Sequence, residues 1–325
     1  MIIVSGMRAT GKLHIGNLVT LKEWVEIQEK SPNNFFFVAD WHALTSHFDS
    51  VEIIEESTLD ILRHYLAVGL NPEKSVLFVQ SAIKEHAELY LLLSMITSVS
   101  RLERIPTYKD QINNISDRDL TNLGFLGYPL LQAADILMYK GDIVPVGEDQ
   151  IYHIEFTRET ARKFNLQYRE VFPEPQALIS KVKKLPGTDG RKMSKSYGNI
   201  INIETNEKEL KEKILPMMTD PARIRRTDPG DPEKCPVWEY HKAFTKLQDE
   251  KEWVIHGCTT ASIGCVDCKK LLIRNMKEEM QPIWNNLAKI SKDDAKNIAL
   301  EGNEKARKVA KQTMQEVKDA MHLRW

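Results

Sequence analysis

The chain has 325 residues, with 45 Lys and Arg against 46 Asp and Glu, so its net charge of −1 carries no overall basic signature for nucleic acid. Hydrophobic residues at 42% and charged residues at 28% describe an ordinary globular protein, long enough for one large domain and a smaller one. No apolar stretch reaches membrane-spanning length, and the run Met1–Val4, broken at Gly6, is not a signal peptide, which points to the cytoplasm.

In the first half, short apolar runs alternate with longer amphipathic ones. Strands are predicted at Ile2–Val4, Phe35–Ala39, Ser75–Gln80 and Ile143–Val146. Between them, Leu18, Leu21 and Val25 form one helical stripe. Ile54, Thr58, Ile61, Leu62 and Tyr65 form another, stopped by Gly69 and Pro72. Such strand–helix repeats predict an α/β fold: a doubly wound parallel, Rossmann-like sheet with a smaller C-terminal helical domain. Ligands of such a sheet bind at the C-terminal strand ends, after Val4, Ala39, Gln80 and Val146. The boundary is drawn at residue 190, with residues 1–190 as the sheet domain and 191–325 as a loop followed by helices. Helices are predicted over Glu207–Met218, Cys268–Met280 and Gly302–Met321; Thr227–Pro236 is a loop, and Gly187–Gly190 a flexible joint.

Gly6-x4-Gly11-Lys12 mimics the start of a phosphate-binding P-loop, but Leu13 stands where the magnesium-binding hydroxyl belongs. What remains is a turn that delivers His14 and Asn17 to a helix N-terminus, where backbone N–H groups favour phosphate. Past the glycine joint, Lys192-Met193-Ser194-Lys195-Ser196 sets two lysines and two serines on a loop able to follow charge onto a departing pyrophosphate. Four cysteines, Cys235, Cys258, Cys265 and Cys268, follow the spacing C-x22-C-x6-C-x2-C. That pattern suits a tetrathiolate site for zinc or an iron–sulfur cluster. Disulfides would require an oxidising compartment or a small, core-poor scaffold. His42, between apolar neighbours, reads equally as a core histidine or a pocket wall. His86, His153 and His241 belong to no recognisable constellation.

Together, His14-Ile15-Gly16-Asn17 and Lys192–Ser196 resemble the two signatures of class I aminoacyl-tRNA synthetases. Over almost the whole chain the resemblance is to the bacterial tryptophanyl enzymes, through Val38–Leu44, Ala133–Leu137 and Val146–Gln150. It implies ATP and Mg2+, L-tryptophan and tRNA(Trp) as ligands, and a homodimer. Lys192 and Lys195 would hold the β- and γ-phosphates, with His14 and Asn17 beside them. Arg8, Ala9, Thr10 and Gly16 would line the ATP site with Met193, Ser194 and Ser196. Gly147, Glu148 and Asp149 would meet the ribose, and Val182 the adenine. Asp135 would accept from the indole N–H, with Tyr128 and Gln150 at the substrate ammonium and His42 and Gln132 in the same pocket. The cysteines resemble the [4Fe–4S] site of a subset of these enzymes. Two departures stand out: Asn17 replaces a histidine, and Tyr128-x3-Gln132-x2-Asp135 resembles the amino-acid pocket of tyrosyl-tRNA synthetases, which keeps tyrosine as the alternative substrate.

Overall fold

A computed structural model describes residues 1–114, 120–180, 185–194 and 197–324. The chain divides into two compact units, one of Met1–Lys12, Trp24–Ser180 and Ile290–Trp325, the other of Leu13–Glu23 and Lys181–Lys289.

The sheet has five strands, β1 (Ile2–Arg8), β2 (Asn33–Ala39), β3 (Val76–Val79), β4 (Ile143–Val146) and β5 (Gln176–Ile179). The first part of the chain also forms helices α1 (Ile15–Gln28), α2 (Asp40–His47), α3 (Glu52–Val68), α4 (Glu85–Ser94), α5 (Val99–Glu103), α6 (Pro106–Asn114), α7 (Leu123–Met138) and α8 (Ile151–Gln167). The remaining helices are α9 (Glu207–Ile214), α10 (Pro236–Phe244), α11 (Gln248–Thr259), α12 (Cys265–Leu287) and α13 (Lys292–Ala320).

All strand pairs are parallel, in the order β3-β2-β1-β4-β5. The chain adds strands outward from β1 on one side and then returns to its other side. The switch point therefore falls between β1 and β4, where a crevice opens at the strand ends. Phe35–Ala39 reads as an unbroken apolar run because both of its faces are covered. Phe35 stacks on Tyr139 at 4.5 Å on one face, while Phe36 stacks on Trp24 at 4.7 Å on the other. β5 escaped the sequence reading: at the sheet edge, its Leu178 and Ile179 stay exposed, so no buried run or alternation marks it.

The outer edge of β3 is closed by α13. Asn303 Oδ1 accepts from Val79 N at 2.9 Å, and Arg307 donates to the Ala82 carbonyl. An edge strand with open N–H groups invites pairing with other chains, and the helix removes that opportunity. The approach is close enough to demand Gly302, since a Cβ there would lie 1.8 Å from the Leu77 carbonyl oxygen.

In the second unit, the helix expected over Glu207–Met218 stops at Ile214, and Pro216, which has no N–H, cannot continue its hydrogen-bond ladder. Buried Lys269 then takes the freed carbonyls of Leu215 and Met217 at 2.7 and 2.5 Å. The helix expected at Cys268–Met280 is longer at both ends, from Cys265 to Leu287. It begins where Asp267 accepts from the Gly264 N–H at 3.1 Å. Similarly, α13 begins ten residues before the predicted Gly302, at a capping box formed by Ser291 and Asp294.

In an ordinary helix interior, Gly302→Ala would stabilise by about 1 kcal/mol through propensity. Here the clash with Leu77 reverses the sign, and a net loss of about 1–3 kcal/mol is expected in urea denaturation. An unchanged or raised midpoint would show that α13 does not need this close approach.

Candidate active site

In the sheet unit the site residues cluster around Asp135 on α7, which is only 1% exposed. Its Oδ1 accepts from His86 Nδ1 at 2.5 Å and Gln80 Nε2 at 2.8 Å; its Oδ2 accepts from Gln80 Nε2 at 2.8 Å and His42 Nε2 at 2.9 Å. Gln80 is held in turn by the His42 N–H, which donates to its Oε1 at 3.3 Å. His86 Nε2 lies 2.7 Å from the Tyr139 hydroxyl. Burial by itself would raise the Asp135 carboxyl, but the hydrogen bond from His42 and the charge of His86 outweigh it and hold the group below the usual carboxylate range. The Tyr139 hydroxyl, raised by burial and by the Asp135 charge, keeps its proton. A carboxylate has about four lone-pair positions, and protein donors occupy them here. A substrate N–H therefore reaches Asp135 only by displacing one of these donors.

His86, assigned no role from the sequence, is thus bonded directly to Asp135. Gln80 was missed altogether. Neither lies in a recognisable motif, and only the fold brings them across 49 and 55 residues to Asp135.

Tyr128, one helical turn before Gln132 and two before Asp135, shares their side of α7. Its hydroxyl meets Thr107 Oγ1 at 2.6 Å, and Thr107 meets His153 Nε2 at 2.8 Å. Gln132 is half-buried. Gln150 is also half-buried and donates to Asp149 Oδ2 at 3.2 Å. Arg8 ends β1, donates to Ser46 Oγ and is followed by buried Ala9 and half-buried Thr10. Gly147, Glu148 and Asp149 follow β4, with both acids exposed. These two segments occupy the strand ends on either side of the switch point.

In the second unit, His14 is the N-cap of α1. Its Nδ1 accepts from the Gly16 N–H at 3.1 Å, while Asn17 Oδ1 accepts from the His14 N–H at 3.0 Å. Histidine and asparagine side chains thus satisfy two backbone N–H groups at the start of the helix. An Nδ1 that accepts carries no proton, so Nε2 bears the ring N–H. Gly16 is required because a Cβ there would lie 2.9 Å from the His14 ring.

The segment around His14 is fastened to the chain beyond the second signature. Ile15 N donates to the Ile201 carbonyl at 2.9 Å and Ile203 N to the Leu13 carbonyl at 3.0 Å, with His14 opposite Asn202. The Met193 sulfur lies 3.7 Å from the position of a Cβ on Gly16. Both signatures thus belong to one unit, as the described residues His14, Gly16, Asn17, Lys192, Met193 and Ser194 show. Val182, Lys195 and Ser196 lie outside the described residues.

The expected joint at Gly187–Gly190 is a closed turn, with Gly190 N donating to the Gly187 carbonyl at 2.9 Å and Gly187 N to the Arg191 carbonyl at 2.5 Å.

All four cysteines are half-buried free thiols. Burial first, and then the charges of Cys235, Cys258 and Cys265, push the Cys268 thiol up to about 12. Cys258 Sγ lies 3.8 Å from Arg223 Nη1 and Cys268 Sγ 3.3 Å from His241 Nε2, a contact the sequence did not reveal. Among the described residues, no group of three or more Cys, His, Asp or Glu side chains is arranged to hold a metal ion. Each of these two sulfurs faces a side-chain nitrogen. No helix among the described residues is long and apolar enough to cross a membrane.

A family profile described as "tRNA synthetases class I (W and Y)" matches residues 1–281. The chain is 63% identical to the tryptophan–tRNA ligase of Thermotoga maritima, with 99% of each chain covered. It is 43% identical to that of Ralstonia nicotianae, with 99% of this chain and 98% of the relative covered. Among solved structures, the tryptophanyl-tRNA synthetase of Campylobacter jejuni, complexed with ADP and tryptophan, superposes with a TM-score of 0.85 at 35% identity, covering 99% of this chain and 100% of that one. With a profile over most of its length and full-length relatives well above 30% identity, the chain belongs to the class I tryptophanyl-tRNA synthetases.

Proposed function

We propose that the chain joins L-tryptophan to ATP, forming tryptophanyl-adenylate and pyrophosphate, and then esterifies tRNA(Trp). The observation that carries the chemistry is the pairing of Leu13–Ile15 with Ile201–Ile203, which sets the N-capping His14 and the Lys192–Ser194 segment in one unit. Similarity to the Thermotoga ligase over 99% of both chains carries the choice of amino acid over tyrosine.

A carboxylate oxygen of tryptophan attacks the α-phosphorus, a new O–P bond forms, and the electron pair of the breaking bond leaves with pyrophosphate. The carboxylate is already ionised at neutral pH, so catalysis needs no general base and rests on positioning and charge stabilisation. ATP enters as its Mg2+ complex. Lys192, with Lys195 by resemblance, takes the β- and γ-phosphates. His14, at the start of α1, is assigned to a phosphate oxygen by resemblance. Arg8, Ala9, Thr10, Gly16 and Asn17 border ATP with Met193, Ser194 and Ser196. Gly147, Glu148 and Asp149 are assigned to the ribose, and Val182 to adenine. The indole N–H is assigned to Asp135 by exchange with Gln80, whose single amide nitrogen bridges both oxygens. His42 and Gln132 serve as pocket walls, and Tyr128 and Gln150 meet the ammonium group.

The helices α9–α12 are assigned to the anticodon end of the tRNA, the working unit to a homodimer, and its compartment to the cytoplasm. A soft-metal site fits the chemistry of the donor set, four half-buried free thiols. Cys235, Cys258, Cys265 and Cys268 would hold a [4Fe–4S] cluster or zinc. When bound, the group would supply a cross-link between α10, α11 and α12.

Amino-acid-dependent ATP–pyrophosphate exchange tests the central reading. Exchange is expected with tryptophan and not tyrosine, whereas exchange with tyrosine alone would overturn the substrate. Cys265→Ser should weaken tRNA charging while leaving exchange largely intact; equal losses would point to a general folding role.

The pocket also has an acid limit. Burial, and then the charge of His42, lower the His153 imidazole to about 4, whereas in the unfolded chain it titrates near 6.5. Between those values the unfolded state binds more protons, so stability falls as pH is lowered. His153→Gln should remove up to about 1.4 kcal/mol per pH unit from that slope in urea titrations. An unchanged slope would exclude His153 as its source.

A further inference from the structure

We propose that Asn199 is a positioning residue for adenylate formation, holding the backbone of the Lys192–Ser194 segment in the shape that aims Lys192 at the phosphates. Asn199 is 3% exposed. Its Oδ1 accepts from the Ser194 N–H at 2.8 Å, and its Nδ2 donates to the Lys192 carbonyl at 3.0 Å and to Asp189 Oδ1 at 2.8 Å. Its own carbonyl accepts from the Thr188 N–H at 3.0 Å. One buried amide thus ties together three points of the loop: the turn before it at Asp189, the lysine residue itself, and the backbone two residues later. The Asp189 carboxyl is lowered to about 2 by the Asn199 hydrogen bond first and by Arg191 next, so the acceptor stays charged at neutral pH. Lys192 itself is exposed, and nothing described at its side chain fixes the direction of the ammonium group. Its backbone anchor therefore sets where that charge can reach.

Space for this amide is provided by Gly187. A Cβ at that position would lie 2.2 Å from Asn199 Nδ2 and 2.4 Å from its Cγ, and all three of its nearest neighbours belong to Asn199. Gly187→Ala should therefore act by expelling the Asn199 side chain. The inference rests on the reading of Lys192 as a phosphate-holding residue, and the experiment separates the two.

Tryptophan-dependent ATP–pyrophosphate exchange is measured for Lys192→Ala, Asn199→Ala, Gly187→Ala and the Gly187→Ala/Asn199→Ala double variant, with a thermal melt of each. A displacement of the order of an ångström costs up to about 100-fold in rate, so Asn199→Ala should lower kcat about 10- to 100-fold. Its KM for tryptophan should stay within about twofold, because the amino-acid pocket is untouched. Gly187→Ala should fall similarly, and the double variant should be no worse than Asn199→Ala alone, since both changes break one contact. Wild-type exchange in Lys192→Ala would remove the reading on which the inference rests. With Lys192→Ala impaired, three results would each overturn the inference: normal kcat in Asn199→Ala, multiplicative losses in the double variant, or a loss that follows the melting temperature and raises the KM for tryptophan.

Discussion

Taking a carboxylate out of water costs several kcal/mol unless its lone pairs are met by donors. At Asp135 this requirement organises the buried polar cluster of the sheet unit. One donor comes from α2 (His42), one from the residue following β3 (Gln80), and one from α4 (His86). Three separate parts of the chain must therefore be correctly placed before α7 can bury its charge. The same bonds keep the group ionised against the effect of burial. Under the proposed assignment, a substrate that offers an N–H competes for an acceptor the protein has already satisfied. Such an arrangement moderates the affinity of any ligand that must displace a protein donor to reach the carboxylate.

The two signature segments of the second unit follow a different logic, held by backbone rather than by buried charge. The N–H groups at the start of α1 are capped by His14 and Asn17, and a short antiparallel pairing carries the lysine segment to the same place. That pairing explains why Leu13–Glu23, which follows the first strand directly, groups with residues far along the chain rather than with the sheet. Two segments distant in sequence are thereby held together by backbone pairing.

What could be read from the sequence depended on whether physics acted locally. β1 to β4 were visible because strands covered on both faces must be nearly continuous apolar runs, and the two signatures because phosphate chemistry concentrates particular residues within five positions. β5 was invisible because an exposed edge strand needs no such pattern. The early end of α9 was legible in principle at Pro216, which lies inside the predicted span Glu207–Met218. Gln80, His86, Thr107 and Asn199 carry no local signal: their importance lies in partners that only the tertiary structure supplies. The four cysteines show the converse, for their spacing was plain while the arrangement of their sulfurs was not encoded in it.

The bond from Val79 to Asn303 joins residues 224 positions apart. At ribosomal rates of 5–20 residues per second, β3 emerges roughly 10–45 s before the helix that covers it. During synthesis, then, the sheet has an outer strand with open hydrogen-bonding groups and nothing of its own to place there. The nascent chain must pass through this interval without meeting another exposed strand, so the demand for chaperone protection is concentrated at one edge of the molecule and ends when α13 docks.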